Sequence, residues 1–177
     1  MTLIRANNRT LTDVTAAGIP KSAGQVLQVK SATKTDKQST TSNSYSDVTG
    51  LSVTITPSSA NSKIYVMVHV VYGGGDNSYG AFRLMRDTTH ISKSTYATGN
   101  QVNASFTGNM ETASHKTRNA ACNFLDSPAT TSAVTYKVQF AQSYSSYNMT
   151  INAPHQTDNY SYNIGHTSSI TVMEIAG

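Results

Sequence analysis

In residues 63–71 (Lys-Ile-Tyr-Val-Met-Val-His-Val-Val) every second position is aliphatic: Ile64, Val66, Val68 and Val70. A strand turns that period of two into one apolar face, whereas a helix scatters it around its axis. The same period recurs at residues 51–56, where Leu51, Val53 and Ile55 alternate with Ser and Thr. It returns at 134–140, where Val134, Tyr136, Val138 and Phe140 alternate with Thr, Lys and Gln. Shorter strands are expected at 26–29, 81–86, 122–125, 148–151 and 169–175, with another possible over 90–95. In the 81–86 strand, Phe82 and Leu84 should point inward and Arg83 outward. The 63–71 strand also carries Tyr65, Met67, His69 and Val71 on its second face, so it is expected to be central and covered on both sides.

Composition excludes the helical alternative. Leu is present only 6 times against 13 Val and 9 Ile, while Ser, Thr and Asn make up 62 of the 177 residues. Charged residues are 12% of the chain. A bundle of helices needs Leu, Ala, Glu and Lys, and disorder driven by charge needs a larger net charge than +4. The expected fold is all-β: an antiparallel two-sheet sandwich, jelly-roll-like, of about eight strands. Its Leu, Ile, Val and Phe content is low, which suggests that neighbouring chains complete the burial. The stretch 87–121 shows little pattern and is expected to be mostly long loop. Residues 73–77 (Gly-Gly-Gly-Asp-Asn) should form a flexible, hairpin-type connection.

Charge divides the chain unevenly. Residues 1–37 hold Arg5, Arg9, Lys21, Lys30, Lys34 and Lys37 against Asp13 and Asp36, so the whole net charge of +4 lies there. The division expected is an extended N-terminal docking arm, 1–23, followed by a sandwich domain, 24–177. Arg5, Arg9 and Lys21 are the candidate docking contacts, through steering and rim pairing with an acidic protein surface. The basic residues stand singly and without interleaved aromatics, so no nucleic acid is expected as a partner. The opening residues lack the apolar stretch of a secretory signal. No apolar run reaches the length of a membrane helix, so neither membrane nor secretion is expected.

Little in the chain points to a reaction. No Gly-x-Ser-x-Gly string occurs, and residues 73–80 lack the Gly-Lys-Ser/Thr ending of a phosphate loop. The five histidines, His69, His90, His115, His155 and His166, have no spacing that would present two imidazoles to one metal. His69 reads as a packed, hydrogen-bonded strand residue, and Cys122, the single cysteine, as a small buried filler. Asp76, Asp126 and Asp158 read as turn residues, Asp126 bonding nearby backbone. No catalytic residue, cofactor or metal site is assigned, and no enzyme is expected. Tyrosine is the exception to this plainness. Tyr144, Tyr147, Tyr160 and Tyr162 lie among Ser, Asn and Gly near the C-terminus. Tyr joins a large contact area to a polar tip at low entropic cost, so these four are candidate surface-recognition residues. The alternative is that they are ordinary strand residues with one wet face.

Four segments carry a resemblance. Residues 24–30 (Gly-Gln-Val-Leu-Gln-Val-Lys), 45–64, 124–139 and 169–175 resemble a module of small β-sandwich virion structural proteins, decoration or fibre-like, of tailed phages infecting marine bacteria and cyanobacteria. The resemblance spans 24–72 and 122–177 and implies no catalytic residue. It implies a virion component made in the host bacterial cytoplasm. Its first form is a capsid decoration (cement) protein, a homo-oligomer and specifically a trimer, gripping the major capsid protein or another virion protein through its arm. The alternative is a tail-fibre or head-fibre subunit whose Tyr-rich loops contact a host glycan. A free-standing carbohydrate-binding module is the third reading.

Overall fold

Alternation gives each strand two unlike faces, and eleven strands solve this by pressing their apolar faces together from two antiparallel sheets. The computed structural model describes residues 22–75, 78–110, 115–142 and 148–177. The strands in chain order are β1 (Val26–Lys34), β2 (Gln38–Thr40), β3 (Ser46–Ile55), β4 (Lys63–Gly74), β5 (Ser78–Arg86) and β6 (Thr89–Ile91). They continue as β7 (Phe106–Met110), β8 (Thr117–Asp126), β9 (Val134–Gln142), β10 (Met149–Ile151) and β11 (Ser168–Ile175). One sheet runs β1-β11-β4-β10-β2, with β8 on the other edge of β4. The second runs β3-β9-β5-β6, with β7 also on β5. Among the described residues there is no helix long and apolar enough to cross a membrane.

The core follows the expected faces. Leu51, Ile55, Ile64, Val66, Val70, Phe82, Leu84, Tyr136, Val138 and Phe140 are all fully buried between the sheets. Phe82 stacks on Phe106 with ring centroids 4.8 Å apart and meets Tyr72 edge-on at 5.8 Å. Removing each large side chain from water contributes about 2–3 kcal/mol, so these rows, more than any loop, hold the sandwich closed.

Two carboxylates are buried in this apolar setting. The Glu174 carboxylate on β11 is fully buried and accepts from Gln28 Nε2 at 2.6 Å and from the Ser58 amide, Ser58 Oγ and Ser62 Oγ, each at 2.7 Å. Burial alone would raise its pKa, but the four hydrogen bonds outweigh that and hold it at about 2. On the other side, Asp126 takes a two-pronged bond from Arg86 Nη1 at 2.8 and 2.9 Å and one from the Tyr136 hydroxyl at 2.7 Å. Burial, joined by that hydrogen bond to a carboxylate, pushes the Tyr136 phenol well above its ordinary range.

Several expectations are corrected here. Among the described residues the strands number eleven rather than about eight: β2 and β7 pair in places where the sequence is polar, and β6 takes up part of the short strand possible over 90–95. Among its described residues the 87–121 stretch is mostly loop, as expected, with β6, β7 and the start of β8 set into it. β4 is central, flanked by β11, β10 and β8, but its second face is covered only at the Val71 end. On the rest of that face, Tyr65 and Met67 are half-buried and His69 is exposed, bonding Asn119 Oδ1 at 3.1 Å. Cys122 points inward from β8 but is half-buried, because that edge strand is only partly roofed. Asp126 is no turn residue but the buried carboxylate just described. Gly73 and Gly74 do not form a flexible connector; they are the buried end of β4. The docking candidates Arg5, Arg9 and Lys21 lie outside the described residues, as do Asp76 and the Tyr144 and Tyr147 pair.

Candidate functional site

Between β10 and β11 the chain leaves the sheet for sixteen residues, 152–167, and adds no strand. A structureless connection of that length in a tight sandwich is uncommon and tends to carry function. Its two ends are clasped. Asn152, buried at 3% exposure and with φ of 63°, donates from Nδ2 to the carbonyls of Lys34 (2.9 Å) and Asp36 (3.1 Å). Its Oδ1 accepts from Ser168 Oγ at 2.6 Å, and its carbonyl accepts from the His166 amide at 3.0 Å. Ser168 Oγ in turn accepts from the Val71 amide at 2.9 Å, and the Asn152 amide donates to the Val71 carbonyl at 2.8 Å. Asn fits the left-handed conformation because its short polar side chain bonds locally. The loop is thus a closed Ω-like excursion standing on a rigid base.

Gly73 makes that base possible. A Cβ there would lie 2.5 Å from the Ala153 carbonyl oxygen and 2.9 Å from Pro154 Cα, so the loop root lies directly on the β4 backbone. Register then supplies the rest: Gly73 pairs with Thr150 of β10 on one side and with Thr117 of β8 on the other. The residues just before β8 therefore emerge beside the loop.

Inside the loop, Tyr160 and Tyr162 stack with centroids 5.1 Å apart and 12° between planes. The turn that brings them together is closed by the Asn163 amide donating to the Tyr160 carbonyl at 3.0 Å, and by Asn163 Nδ2 and the Tyr160 amide donating to the Asp158 carbonyl, each at 2.7 Å. His115 meets Tyr162 edge-on, centroids 5.0 Å apart, and its Nδ1 lies 3.1 Å from Asn163 Oδ1. His166 Nε2 lies 2.9 Å from Thr117 Oγ1, tying the loop's return to β8. Despite this framework the apolar groups face water: Tyr160, Tyr162 and Ile164 are 58%, 52% and 59% exposed. An ordered, water-facing aromatic cluster is the kind of surface that recognises a partner.

Two hollows flank the stack. One, about 270 Å³, is lined by Tyr162, Ile164, His115, Lys116 and His166. The other, about 330 Å³, is lined by Tyr160, Ile164, Asp158, Asn159 and Asn163. Of the four tyrosines singled out from the sequence, the structure brings Tyr160 and Tyr162 together. His115, Lys116 and His166 were missed as partners of that pair. Among the described residues no group of three His, Cys, Asp or Glu side chains is placed to hold a metal ion.

No protein-family model matches the chain, and no curated protein sequence does. Among solved structures it is similar to a chain of infectious bursal disease virus Gt strain, with a TM-score of 0.45 and 12% identity over 100% of this chain. It is likewise similar to one of the Gx strain, with a TM-score of 0.46 and 10% identity over 99%. The chain spans 43% and 42% of the length of those two. What the site does is therefore argued from this chain's own residues.

Proposed function

We propose that this chain is a structural subunit of a tailed-phage virion, of the fibre-like kind, whose loop 152–167 recognises a host-surface glycan. The observation that carries the recognition half is the exposed Tyr160–Tyr162 stack on a clasped base. A sugar ring presents a C–H face that packs on an aromatic face, while its hydroxyls need fixed donors and acceptors nearby. Asp158, Asn159 and Asn163 line one hollow beside the stack and supply such groups. A preformed surface also avoids the ordering cost that weakens binding by flexible loops. The virion half is supported by the resemblance of residues 24–72 and 122–177 to the phage module. In this reading the protein performs no reaction and needs no cofactor.

The test is attachment of the purified protein to host cells. Replacing Tyr160 and Tyr162 with Ala should abolish binding and leave the denaturation profile close to the parent, because both rings are half-exposed. Binding that survives the double replacement would overturn the recognition role.

One observation favours a second reading, the decoration protein: the whole net charge of +4 lies in residues 1–37. In that reading the chain is a trimer held on the capsid lattice through Arg5, Arg9 and Lys21. The two readings differ in stoichiometry. A decoration protein occupies every equivalent lattice position, a fibre only a few sites per particle, and gel densitometry of purified particles separates them. Light scattering tests the trimer: a monomer mass at micromolar concentration would exclude it.

A further inference from the structure

The two hollows beside the tyrosine stack are unlike in charge. The Tyr162 side carries Lys116 with His115 and His166, and among the described residues no carboxylate lines it. Among the described residues the Tyr160 side carries Asp158 as its one charged lining residue. Lys116 is exposed, and the ion pairs among the described residues, Lys34–Asp36, Arg86–Asp126 and Lys137–Asp47, leave it out. Both imidazoles are held in place, His115 by Asn163 and Tyr162, His166 by Thr117. The His115 N–H is spent on the Asn163 Oδ1 acceptor, whereas the Thr117 hydroxyl can donate to His166 Nε2 and leave the His166 Nδ1–H oriented for a ligand. Aromatic face, ammonium and oriented N–H together suit a sugar that bears a negative charge. On the opposite side the Asp158 carboxylate repels that same charge and accepts hydroxyl protons instead.

From this asymmetry we infer that the ligand is an acidic glycan bound in one direction, its carboxylate-bearing residue in the hollow beside Tyr162 and a neutral residue in the hollow beside Tyr160. The inference rests on the glycan reading above and adds to it both a substrate class and a polarity. Lys116 is the residue that sets the preference for the acid. Tyr162 is the platform that either kind of sugar would need.

The experiment is a titration of the full chain with a matched pair of disaccharides: cellobiose, which is neutral, and cellobiuronic acid, which differs by one carboxylate. The chain has no Trp to mask tyrosine fluorescence, and the change on Tyr160→Phe identifies the share of the ten-Tyr signal that comes from the site. Cellobiuronic acid should bind about fivefold tighter than cellobiose, the effect of one exposed ion pair of about 1 kcal/mol. Lys116→Gln should remove that difference, and added salt should do the same. Tyr162→Ala should remove binding of both sugars, and Tyr162→Phe should restore it. Equal affinities that do not respond to Lys116→Gln would overturn the inference and leave the glycan reading standing. A preference for the acid that survives both Lys116→Gln and Tyr162→Ala would place binding elsewhere and overturn it too. If neither sugar changes the tyrosine signal at millimolar concentration, the glycan reading falls and takes the inference with it.

Discussion

Replacing Asn152 with Ala tests whether the recognition loop is held by its base or by its own packing. The side chain is 3% exposed and makes three hydrogen bonds: two donated to the carbonyls of Lys34 and Asp36, one accepted from Ser168 Oγ. Truncation leaves those groups without this partner in a site closed to water, at about 1–3 kcal/mol for each one left unsatisfied. The Ser168 hydroxyl can rotate to another acceptor, and the Asp36 carbonyl lies near the surface, so one full loss and one partial loss are counted. Ala at a φ of 63° adds roughly 1 kcal/mol that Asn largely avoids. The expected total is about 3–4 kcal/mol. A domain with stability of about 5–15 kcal/mol survives this and stays folded.

Urea denaturation gives the total, and hydrogen exchange shows where it falls. Amides of 152–167 should lose protection far more than those of β4 or β9. Asn152→Gly separates the two causes. It relieves the backbone strain and keeps the hydrogen-bond loss, so it should be about 1 kcal/mol less damaging than Ala. A loss below about 1 kcal/mol for Asn152→Ala would refute the clasp, and identical values for Ala and Gly would refute the backbone strain.

Three further outcomes are expected. Glu174 is held at a pKa of about 2 against an ordinary 4.5, so its contribution is present above pH 4.5 and is lost as the pH falls toward 2. That depression corresponds to about 3 kcal/mol, and Glu174→Gln should flatten the acid limb of a stability–pH curve; an unchanged limb would refute the assignment. Tyr136→Phe removes one of three bonds to the buried Asp126 and should cost about 1–2 kcal/mol by chemical denaturation, whereas Arg86→Met, which leaves that carboxylate without its cation, should cost about 3 kcal/mol or more. Gly73→Ala forces the loop root off the β4 backbone, so sugar affinity should fall more steeply than global stability, which should drop by about 1–3 kcal/mol.

The fold was legible wherever the inward position of a strand is filled by its own side chain. β3, β4 and β9 announce themselves because Leu51, Val66 and Phe140 each occupy the space beneath their own backbone. β7 stays hidden for the opposite reason. A Cβ on its Gly108 would sit 2.7 Å from Met149 Cε and 2.7 Å from a Phe82 ring carbon, so the space under it is filled by neighbours. A period of two cannot show in a strand whose core position is lent out. β2, Gln-Ser-Thr, is an edge strand paired only to β10, and a strand with so little burial leaves no apolar trace. The half-open outer face of β4 misled in the other direction. Tyr65 looks like a core residue, yet it belongs to a row, Val29–Met173–Tyr65–Leu125, that runs across four strands and is exposed at both ends, and Met67 pairs with the polar Thr171 and Asn123.

The site was half legible. Tyr160 and Tyr162 stand out because large rings in a stretch of Ser, Asn and Gly have no apolar period to join, which leaves exposure as their default. Their partners carry no such signal. His115 and Lys116 precede Tyr162 by more than forty positions, and only the register of Gly73 with both Thr117 and Thr150 brings them beside it. Charge summed along the chain pointed elsewhere, toward residues 1–37, because the remaining 140 residues sum to zero. A zero sum is compatible with strong local imbalance once acids are drawn off into buried or paired positions. Glu174 is enclosed by hydroxyls and amides, Asp126 is taken by Arg86, and Asp47 is taken by Lys137. Three of the seven acids in that segment are thereby occupied by the fold itself, and Lys116 keeps its charge at the loop with none of them near it. What a neutral segment offers a ligand is set by which charges folding consumes and which it leaves in water.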